Sequence, residues 1–512
     1  MQLSLTLTPK DLPGGELYDF QVEAVDYIEA HKGRALVGDA PGLGKTITAI
    51  GWLMRRPDLL PALFIVPASV KLQWQRQLSN WLAIPLDDIQ VVSGRKPVAI
   101  TAQYCILNYD ILTPQLKSIL VWKPKIVILD EVHKLKEATT SRSKTGKQIA
   151  HYPYVQSVIG LSGTPLLNRP KELFHPVQCI NPSVFPNWWR FAQRYCDPQK
   201  INTNAQRDDD GRVRRNEYGE PVWNQSWDFS GASNLDELHK ILKERVMIRR
   251  TKDILPNLPE YSPYTIPLAC DLKQYDLIKK DVRERLRIIR DQIRQSREQI
   301  ARLPEPEQVA ALAARAEENS TIKLYGLAIQ EIIRLRKEAA LAKVPHVVDW
   351  VKDFLESGEA LVLFAHHHEC TDALYQALVK AGINLPKPMD GRMTQHRRQQ
   401  IAVEFKNGQY DMLLCGIRAM GEAIDGLQHR SSYLAFVEMD WTPASHEQAA
   451  SRLHRDGQKN TVTGYYMLAV DTLDERMAHL VDSKASVVSA AVGEVDNKGI
   501  IESIVDWVVD DV

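Results

Sequence analysis

Two arginines, Arg452 and Arg455, lie three residues apart in the segment QAASRLHRDGQ at positions 448–458. Residues three apart share one face of a helix, and two guanidinium groups on one face repel each other unless an anion lies opposite them. A cluster of carboxylates or a chain of phosphates would provide that anion. The alternative is a pair of surface arginines that form salt bridges with their neighbours. The other motifs of the chain have to decide between these explanations.

A phosphate-binding loop is indicated by the segment LVGDAPGLGKTITAI at positions 36–50. Its glycines let backbone N–H groups close around phosphates, its lysine reaches the outer phosphates, and its threonine hydroxyl is a ligand for Mg²⁺. The helix that follows adds its positive N-terminal end. A glycine turn before a helix is the alternative, and the strict pattern has glycine where this chain has Asp39. The residues expected to contact ATP and Mg²⁺ in this loop are Asp39, Gly42, Leu43, Gly44, Lys45 and Thr46.

A carboxylate pair, Asp130 and Glu131, follows the apolar segment KIVIL in KIVILDEVH. In a parallel sheet, this end of a strand faces the ligand crevice. Nucleotide hydrolysis needs one carboxylate for the Mg²⁺ shell and one that orients the attacking water, and we assign Asp130 and Glu131 to these roles in that order. An isolated pair of this kind is more commonly at the surface without a catalytic role. The phosphate loop upstream favours catalysis, with Arg452 and Arg455 as arginine fingers that stabilise transition-state charge.

The elements that must position these residues are short apolar segments alternating with longer helical ones, a pattern typical of α/β folds with parallel sheets. A charged stretch with Leu and Ile at helical spacing separates two groups of predicted strands. It predicts a helical hairpin at about 265–345. Pro304 and Pro306 separate its two helices, and the second helix is expected to end near Ala342. The predicted strands are 62–66, 104–107, 125–129 and 158–162 in the first group, and 361–365, 411–416 and 433–438 in the second.

A chain of 512 residues is too long for one core, and we divide it into five parts. The C-terminal segment carries an apolar stripe that predicts a helix docked on the body, with a partner-binding peptide as the alternative. The parts are a first lobe at 1–180, an extension at 181–264 with a charged insertion at about 199–225, the hairpin at 265–345, a second lobe at 346–480 and a helical tail at 481–512.

The charge and cysteine content exclude several classes of protein. Lys and Arg total 64 and Asp and Glu total 64, so nucleic acid would have to bind in a local cleft. The six cysteines form no C-x-x-C pair, which argues against zinc ribbons and indicates a reducing compartment. The N-terminal segment lacks the pattern of a signal peptide, and no apolar run approaches the ~20 residues that span a bilayer. We therefore expect no membrane association and a cytoplasmic location, or a nuclear one in a eukaryotic cell.

The motifs, in their order along residues 17–480, resemble those of helicase superfamily two and, more narrowly, of the Swi/Snf-type double-stranded DNA translocases. Four segments between them resemble the annealing-helicase branch: FAQRYCD at 191–197, WDFSGASNLDELHKIL at 227–242, MIRRTKDILPNLP at 247–259 and LFAHH at 363–367. We expect a bare motor core, as in some bacterial or phage relatives. The family motifs are LYDFQVEAV (17–25), IVPASVKLQWQRQLSNW (65–81), LNYDIL (107–112), DEVHKLKE (130–137), LSGTPLLNRPKEL (161–173), IRAMGEAIDGL (417–427) and QAASRLHRDGQ (448–458).

The resemblance implies two RecA-like lobes in tandem, with the helical hairpin as a protrusion and brace between them. It identifies Gln21 as the adenine-reading glutamine and adds Gly421, Asp425 and Gln448 to the ATP site. The motif that contains Gly421 and Asp425 departs from the family at Ala423. It implies that ATP state is relayed by His133, Ser162, Gly163 and Thr164. The DNA contacts it implies are Ser69, Lys71, Tyr109, Lys136, Thr394 and Arg418.

The resemblance and the motifs together predict a DNA-dependent ATPase that acts as a monomer and moves along double-stranded or branched DNA, with annealing or fork remodelling as further activities. One rival is a motor that strips a bound protein, such as RNA polymerase, from DNA. The other is a catalytically silent, nucleotide-gated scaffold, against which the intact catalytic residues argue. Two apparent metal motifs, QRDDDGRVRRNE (206–217) and HHHEC (366–370), are better explained as a charged surface loop and as the continuation of a strand.

Overall fold

The fold contains two parallel sheets flanked by helices, so the predicted α/β class with two lobes in tandem is confirmed. Side chains of successive residues in the strands of the first sheet belong to different cores: Leu63 and Ile65 lie in one, Phe64 and Val66 in the other. Such strands are apolar throughout because both faces of the sheet are covered. The computed structural model describes residues 11–163, 170–205, 223–229, 231–255, 257–301, 307–417, 424–440, 443–478 and 497–510.

The first sheet has seven strands within the described ranges, all parallel to their neighbours. The four predicted strands of this lobe are confirmed, each end within one residue of its predicted position. From one edge to the other the strands are Met247–Ile248, Arg34–Val37, Ser157–Leu161, Ile126–Asp130, Ala62–Val66, Tyr104–Asn108 and Ile89–Val91. The helices of this lobe and its extension are Asp19–Ala30, Lys45–Arg55, Lys71–Leu82, Leu112–Trp122, Ser141–Ala150, Pro170–Ile180, Trp188–Tyr195 and Leu235–Arg245.

The second sheet, also parallel, contains two strands that the sequence pattern did not predict, Tyr261–Leu268 and Val462–Ala469. Tyr261–Leu268 precedes the helical hairpin in the chain but pairs with Val462–Ala469 over eight residues. Pro263 and Pro267 obscure it, and they are tolerated because an edge strand leaves alternate N–H groups without a ladder partner. The proposed boundary between 264 and 265 therefore falls inside a strand. In spatial order the described strands are Tyr261–Leu268, Val462–Ala469, Tyr433–Phe436, Leu361–Ala365 and Met412–Gly416, and the helices of this lobe are His368–Lys380, Gln395–Lys406 and Pro443–Ala450.

The predicted helical hairpin consists of Lys273–Ala301 and Glu307–Leu355, and Pro304 and Pro306 lie outside the described residues. The prediction that its second helix ends near Ala342 is wrong. The helix continues through Pro345 because its next turns, with Val347 and Val351, pack in the core beneath the second sheet.

The C-terminal segment forms the helix Asn497–Asp510. Its residues Ile504, Val505 and Val508 are buried in a core with Val282 and Leu286 of the first hairpin helix. The prediction of a helix docked on the body is therefore confirmed.

The charged insertion is framed by an antiparallel pair of strands, Gln199–Ala205 and Trp223–Asp228, and a shorter pair joins Asp11–Leu12 to Gly15–Glu16. The calcium-like sequence at 206–217 and the first ten residues lie outside the described part of the chain. Within the described ranges, each helix is too short or too polar to cross a membrane.

Candidate active site

A cavity opens at the carboxyl ends of the first sheet, where that sheet faces the second lobe. Residues from both lobes line it, which places motifs from the two halves of the chain around one space. Gly42 of the first lobe lies close to Arg455 of the second: a Cβ on this glycine would lie 3.3 Å from the arginine Cβ. The predicted residues that line the cavity are Gly42, Gly44, Lys45, Thr46, Asp130, Glu131, Gln448, Arg452 and Arg455.

The phosphate loop has the backbone that its glycines permit. Gly42 and Gly44 have φ angles of 93° and 75°, in the left-handed region that favours glycine, and Gly44 begins the helix Lys45–Arg55. The Lys45 ammonium donates to the backbone oxygens of Asp39 and Ala40 at 2.8 and 3.3 Å. Burial lowers the pKa of Lys45, and the nearby carboxylates of Glu131, Asp39 and Asp130 oppose that effect. The loop thus holds a half-buried cation at the edge of the cavity.

Asp130 ends its strand with both carboxylate oxygens already hydrogen-bonded. Trp74 Nε1 donates to Oδ2 at 2.8 Å, and the backbone N–H of Glu131 donates to Oδ1 at 3.1 Å. Burial and the charge of Glu131 together raise the pKa of Asp130 to about 6. The charged form of Asp130 is therefore held in the folded chain at an energetic cost, as expected of a carboxylate that a cation would stabilise.

Glu131 follows in a left-handed conformation, with φ of 51°. Its Oε2 lies 3.2 Å from Nδ1 of His133. Burial raises the pKa of Glu131, but the contacts with His133 and Lys45 outweigh burial and the net shift is downward. Glu131 is thus the carboxylate of the pair that remains ionised.

Replacement of Asp130 by asparagine should reduce, by about 2–4 °C, the fall in Tm of the nucleotide-free chain between pH 5 and 7.5. The absolute Tm also changes, because the amide group keeps only one of the two oxygens that accept from Trp74 and from the Glu131 backbone. The pKa of Asp130 is raised from 3.8 to about 6, so the folded state binds more protons than the unfolded state between these values. The contribution of this group to stability therefore falls as pH rises through that window, and asparagine removes the loss. Thermal unfolding at pH 5 and 7.5, beside the exposed control Asp87→Asn, measures the effect. A fall in Tm between pH 5 and 7.5 that is as large in Asp130→Asn as in the wild-type chain would contradict this account.

Three of the residues predicted to relay ATP state lie next to these groups. His133 Nδ1 is 3.2 Å from Ser162 Oγ, which connects the Glu131 partner to the end of the neighbouring strand. A Cβ on Gly163 would lie 3.3 Å from the Lys45 ammonium. The fourth, Thr164, lies outside the described residues. These three residues therefore connect the Glu131 carboxylate to the phosphate loop.

Three residues expected to contact ATP lie behind the loop instead of lining the cavity. Asp39 is fully buried and forms an ion pair with Arg250 at 2.5 Å, because a carboxylate in the interior requires a cation. Leu43 packs in an apolar cluster with Phe20. Gln21 is 3% exposed, and its Nε2 donates to the backbone oxygen of Leu43 at 3.2 Å. Their side chains therefore support the loop.

The two arginines lie in the turns that follow the helix Pro443–Ala450, so the assumption of a helical face was wrong although both reach the cavity. Arg455 Nη1 forms an ion pair with Asp425. Asp425 Oδ2 also accepts from Gln73 Nε2 of the first lobe at 3.3 Å. Asp425, predicted to contact ATP, thus faces an arginine across the wall of the cavity. Gly421 lies outside the described residues.

Tyr109 was predicted to contact DNA, but its side chain is 2% exposed and lies in the core of the first lobe. Its hydroxyl donates to the backbone oxygen of Asp130 at 2.7 Å. The apolar strand before Tyr109 carries the ring inward with it. Tyr109 therefore stabilises the end of the strand Ile126–Asp130, and its side chain presents no surface to a nucleic acid in this structure.

The other candidate DNA contacts in the first lobe are partly exposed. Lys71 Nζ donates to the backbone oxygen of Val92 and to Ser93 Oγ, both at 3.0 Å, and Ser69 lies in the 3-10 helix Ala68–Val70 that precedes the helix of Lys71. Lys136 forms an ion pair with Glu172 at 3.1 Å. DNA phosphates would have to displace these partners.

In the second lobe, the exposed Thr394 caps the helix Gln395–Lys406 by accepting from the backbone N–H of Arg397 at 3.4 Å. Its hydroxyl therefore already has a structural role at a helix N-terminus. Arg418 lies outside the described residues. The structure thus leaves the two DNA contacts of this lobe as predictions.

The histidines of HHHEC approach carboxylates at the ends of second-lobe strands. His367 Nδ1 pairs with Glu438, and His366 Nδ1 lies 3.6 Å from Asp440. Burial and the charge of Arg336 lower the pKa of His366 to about 4. Among the described residues, no group of three or more His, Cys, Asp or Glu side chains is arranged to hold a metal ion.

Sequence reasoning did not single out Trp74, Arg250 or Lys252, although each contacts a residue of the site. Trp74 had a usable signal, since its indole lies within the motif IVPASVKLQW. The partners of Arg250 and Lys252 are 211 and 202 positions away in the sequence, so no local pattern indicates them.

Comparison with known proteins gave matches over most of the chain. Residues 20–322 match the family described as the SNF2-related domain, and residues 343–457 match the helicase conserved C-terminal domain. A relative from Bos taurus, "DNA annealing helicase and endonuclease ZRANB3", is 28% identical over 482 residues, which cover 92% of this chain and 40% of that protein.

A second Bos taurus relative, "SWI/SNF-related matrix-associated actin-dependent regulator of chromatin subfamily A-like protein 1", is 30% identical over 488 residues, or 93% of this chain and 45% of that protein. The chain thus spans less than half the length of these two relatives. A solved structure, the Sulfolobus solfataricus SWI2/SNF2 ATPase core in complex with dsDNA, aligns over 100% of this chain and 99% of that chain, at 17% identity and a TM-score of 0.40.

Proposed function

Because this chain belongs to the SNF2-related family of helicase-like ATPases, we propose that it hydrolyses ATP in the cavity between its lobes and uses the energy to move along double-stranded or branched DNA. The observation that carries this proposal is the composition of the cavity wall. Lys45 and Glu131 come from the first lobe, and Arg452 and Arg455 come from the second. A nucleotide bound there would contact both lobes, so binding and hydrolysis would change the free energy of lobe closure.

The residues that line the cavity suit a triphosphate with Mg²⁺. A Cβ on Gly42 would extend towards Arg455, so this glycine leaves room in the cavity, and Gly44 and Lys45 line the cavity beside it. The Thr46 hydroxyl and the Asp130 carboxylate are oxygen ligands of the kind Mg²⁺ prefers. When bound, the ion would neutralise charge that develops on the phosphates.

The remaining catalytic roles belong to three side chains that line the cavity, Glu131, Arg452 and Arg455. Glu131, kept ionised by its contact with His133, is placed to orient an attacking water. Arg452 and Arg455 would supply positive charge from the opposite side of the cavity. This arrangement makes the position of the second lobe part of the catalytic step, which is the property that a motor requires.

We further propose that the DNA annealing activity for which ZRANB3 is named extends to this chain, with contacts made mainly to phosphates. Ser69, Lys71 and Lys136 of the first lobe and Thr394 and Arg418 of the second are the candidate contacts. Such binding is tolerant of sequence and weakens steeply with salt. His133 and Ser162 would pass the state of the nucleotide to these residues.

The decisive test compares ATP hydrolysis by the wild-type chain and Glu131→Gln without DNA and with single strand, linear duplex or a model fork. We expect duplex or fork to stimulate hydrolysis, and the variant to lose about 10²–10⁴-fold of the rate. The exposed Glu16→Gln serves as a matched control. A rate that no DNA stimulates would overturn the translocase proposal.

The same assay separates the alternatives. A fork rate far above the linear-duplex rate would support annealing or fork remodelling. Stimulation by a protein–DNA complex alone would instead indicate a motor that strips a bound protein. ATP binding without hydrolysis under all these conditions would indicate a nucleotide-gated scaffold.

A further inference from the structure

One segment of the first-lobe extension, residues 247–255, contacts both sides of the cavity. We call it the strap. Its first residues form the edge strand Met247–Ile248, and its backbone then runs beside the phosphate loop. Gly38 N–H donates to the oxygen of Ile248 at 2.7 Å, and Ala40 N–H donates to that of Arg250 at 2.9 Å. Backbone hydrogen bonds alone therefore join the strap to the phosphate loop.

Arg250 adds a buried side-chain link to the same loop. Its Nε and Nη2 donate to the two carboxylate oxygens of Asp39 at 3.0 and 2.5 Å, and Nη1 donates to the backbone oxygen of Phe20. The guanidinium also lies over the Phe20 ring, 5.3 Å from its centroid. The side chains of Arg250 and Asp39 are 10% and 0% exposed. A bidentate ion pair of this kind fixes the orientation of the two side chains as well as the distance between them.

Lys252 makes the corresponding link to the second lobe. We call residues 451–458 the arginine loop. Lys252 Nζ donates to the backbone oxygen of His454, in this loop, at 3.2 Å and to its Nδ1 at 3.4 Å. Nε2 of the same histidine donates to the Pro259 oxygen at 2.9 Å, which leaves Nδ1 as the acceptor. The linked residue lies between Arg452 and Arg455, so the strap holds the backbone that carries both arginines.

We propose that Arg250 and Lys252 are positioning residues for the two halves of the site, the first fixing the phosphate loop and the second fixing the arginine loop. This inference deepens the proposed function and rests on it, since the arginine loop matters only if the cavity hydrolyses a nucleotide. Thr251 is extended and Lys252 begins the 3-10 helix Lys252–Ile254, and the side chains of Arg250 and Lys252 contact different lobes. One short piece of chain thereby sets the distance between the phosphate cradle and the arginines.

Loss of each link should change a different kinetic constant. Without Arg250, the phosphate loop must become ordered when the nucleotide binds, so KM for ATP and Kd for ADP should rise about tenfold while kcat changes less than about threefold. Without Lys252, the arginines lose their alignment in the transition state, so kcat should fall about tenfold or more while Kd for ADP stays unchanged.

The experiment measures kcat and KM for ATP, and separately the binding of fluorescent ADP, for Arg250→Ala, Arg250→Lys, Asp39→Asn, Lys252→Met and Lys252→Arg. The exposed neighbour Arg249→Ala is the control and should match wild type. Asp39→Asn should reproduce the effect of Arg250→Ala, and Lys252→Arg should recover most of kcat. If Arg250→Ala does not fold, Arg250→Lys and Asp39→Asn carry the test.

If every variant yields less folded enzyme but the remaining enzyme has the KM and the ADP affinity of wild type, the strap is only structural. That result would overturn the proposal. An equal fall of kcat in the Arg250 and Lys252 variants would also overturn it. If the wild-type chain hydrolyses no ATP, the proposed function fails. The ADP arm still decides the Arg250 link in that case, because it requires no turnover.

Discussion

Replacement of Arg455 by alanine is expected to lower kcat for ATP hydrolysis by about 10³-fold or more and to change ADP affinity little. Its guanidinium comes from the second lobe, and its Cβ lies 3.3 Å from the position that a Cβ on Gly42 would occupy. Positive charge at this point stabilises the phosphates most when charge develops on them in the transition state. The loss therefore belongs to kcat and not to ground-state binding.

Steady-state hydrolysis and ADP binding, measured on the same preparations, test this prediction. Lys459→Ala removes an exposed cation just beyond the arginine loop and should have no effect. Arg455→Lys should recover little activity, because an ammonium lacks the planar fork of the guanidinium. A loss below tenfold, or an equal loss of ADP affinity, would mean that Arg455 serves only the structure of the loop and its pair with Asp425.

Replacement of Lys343 by methionine is expected to lower the free energy of unfolding by about 3–5 kcal/mol. Lys343 is fully buried on the second hairpin helix, and its ammonium pairs with Asp474. It also donates to the backbone oxygens of Val437 and, at 3.1 Å, Met467. Removing the cation leaves a carboxylate and two backbone oxygens in the interior of the second lobe without their donor.

Urea unfolding measures this effect, with Lys352→Met as the control on the same helix, since the Lys352 side chain is 48% exposed. That control should shift stability by no more than about 0.5 kcal/mol. The double variant Lys343→Met with Asp474→Leu should recover most of the lost stability, because it removes both charges together. A single variant as stable as its control would show that the buried pair does not anchor the hairpin to the lobe.

Local sequence located seven strands of the two parallel sheets, because strands buried on both faces must be apolar throughout. The segments at 62–66 and 361–365 were located by composition alone and coincide with the observed strands. The same reasoning failed for Tyr261–Leu268, where two prolines hide an edge strand. It also placed the end of the second hairpin helix too early, because the packing that carries it through Pro345 involves residues far away in the sequence.

The sequence by itself determined the chemical groups of the site: a glycine loop with Lys45, a carboxylate pair and two arginines, each within a short motif. Only the tertiary structure decided which of their neighbours face the cavity. Asp39 turns from it because a buried carboxylate needs a cation, and Arg250 provides that cation from 211 positions away. Tyr109 turns into the core because the apolar strand before it carries its ring inward. Local pattern specifies residue types and periodicity, whereas charge pairing and burial depend on parts of the chain that only folding brings together.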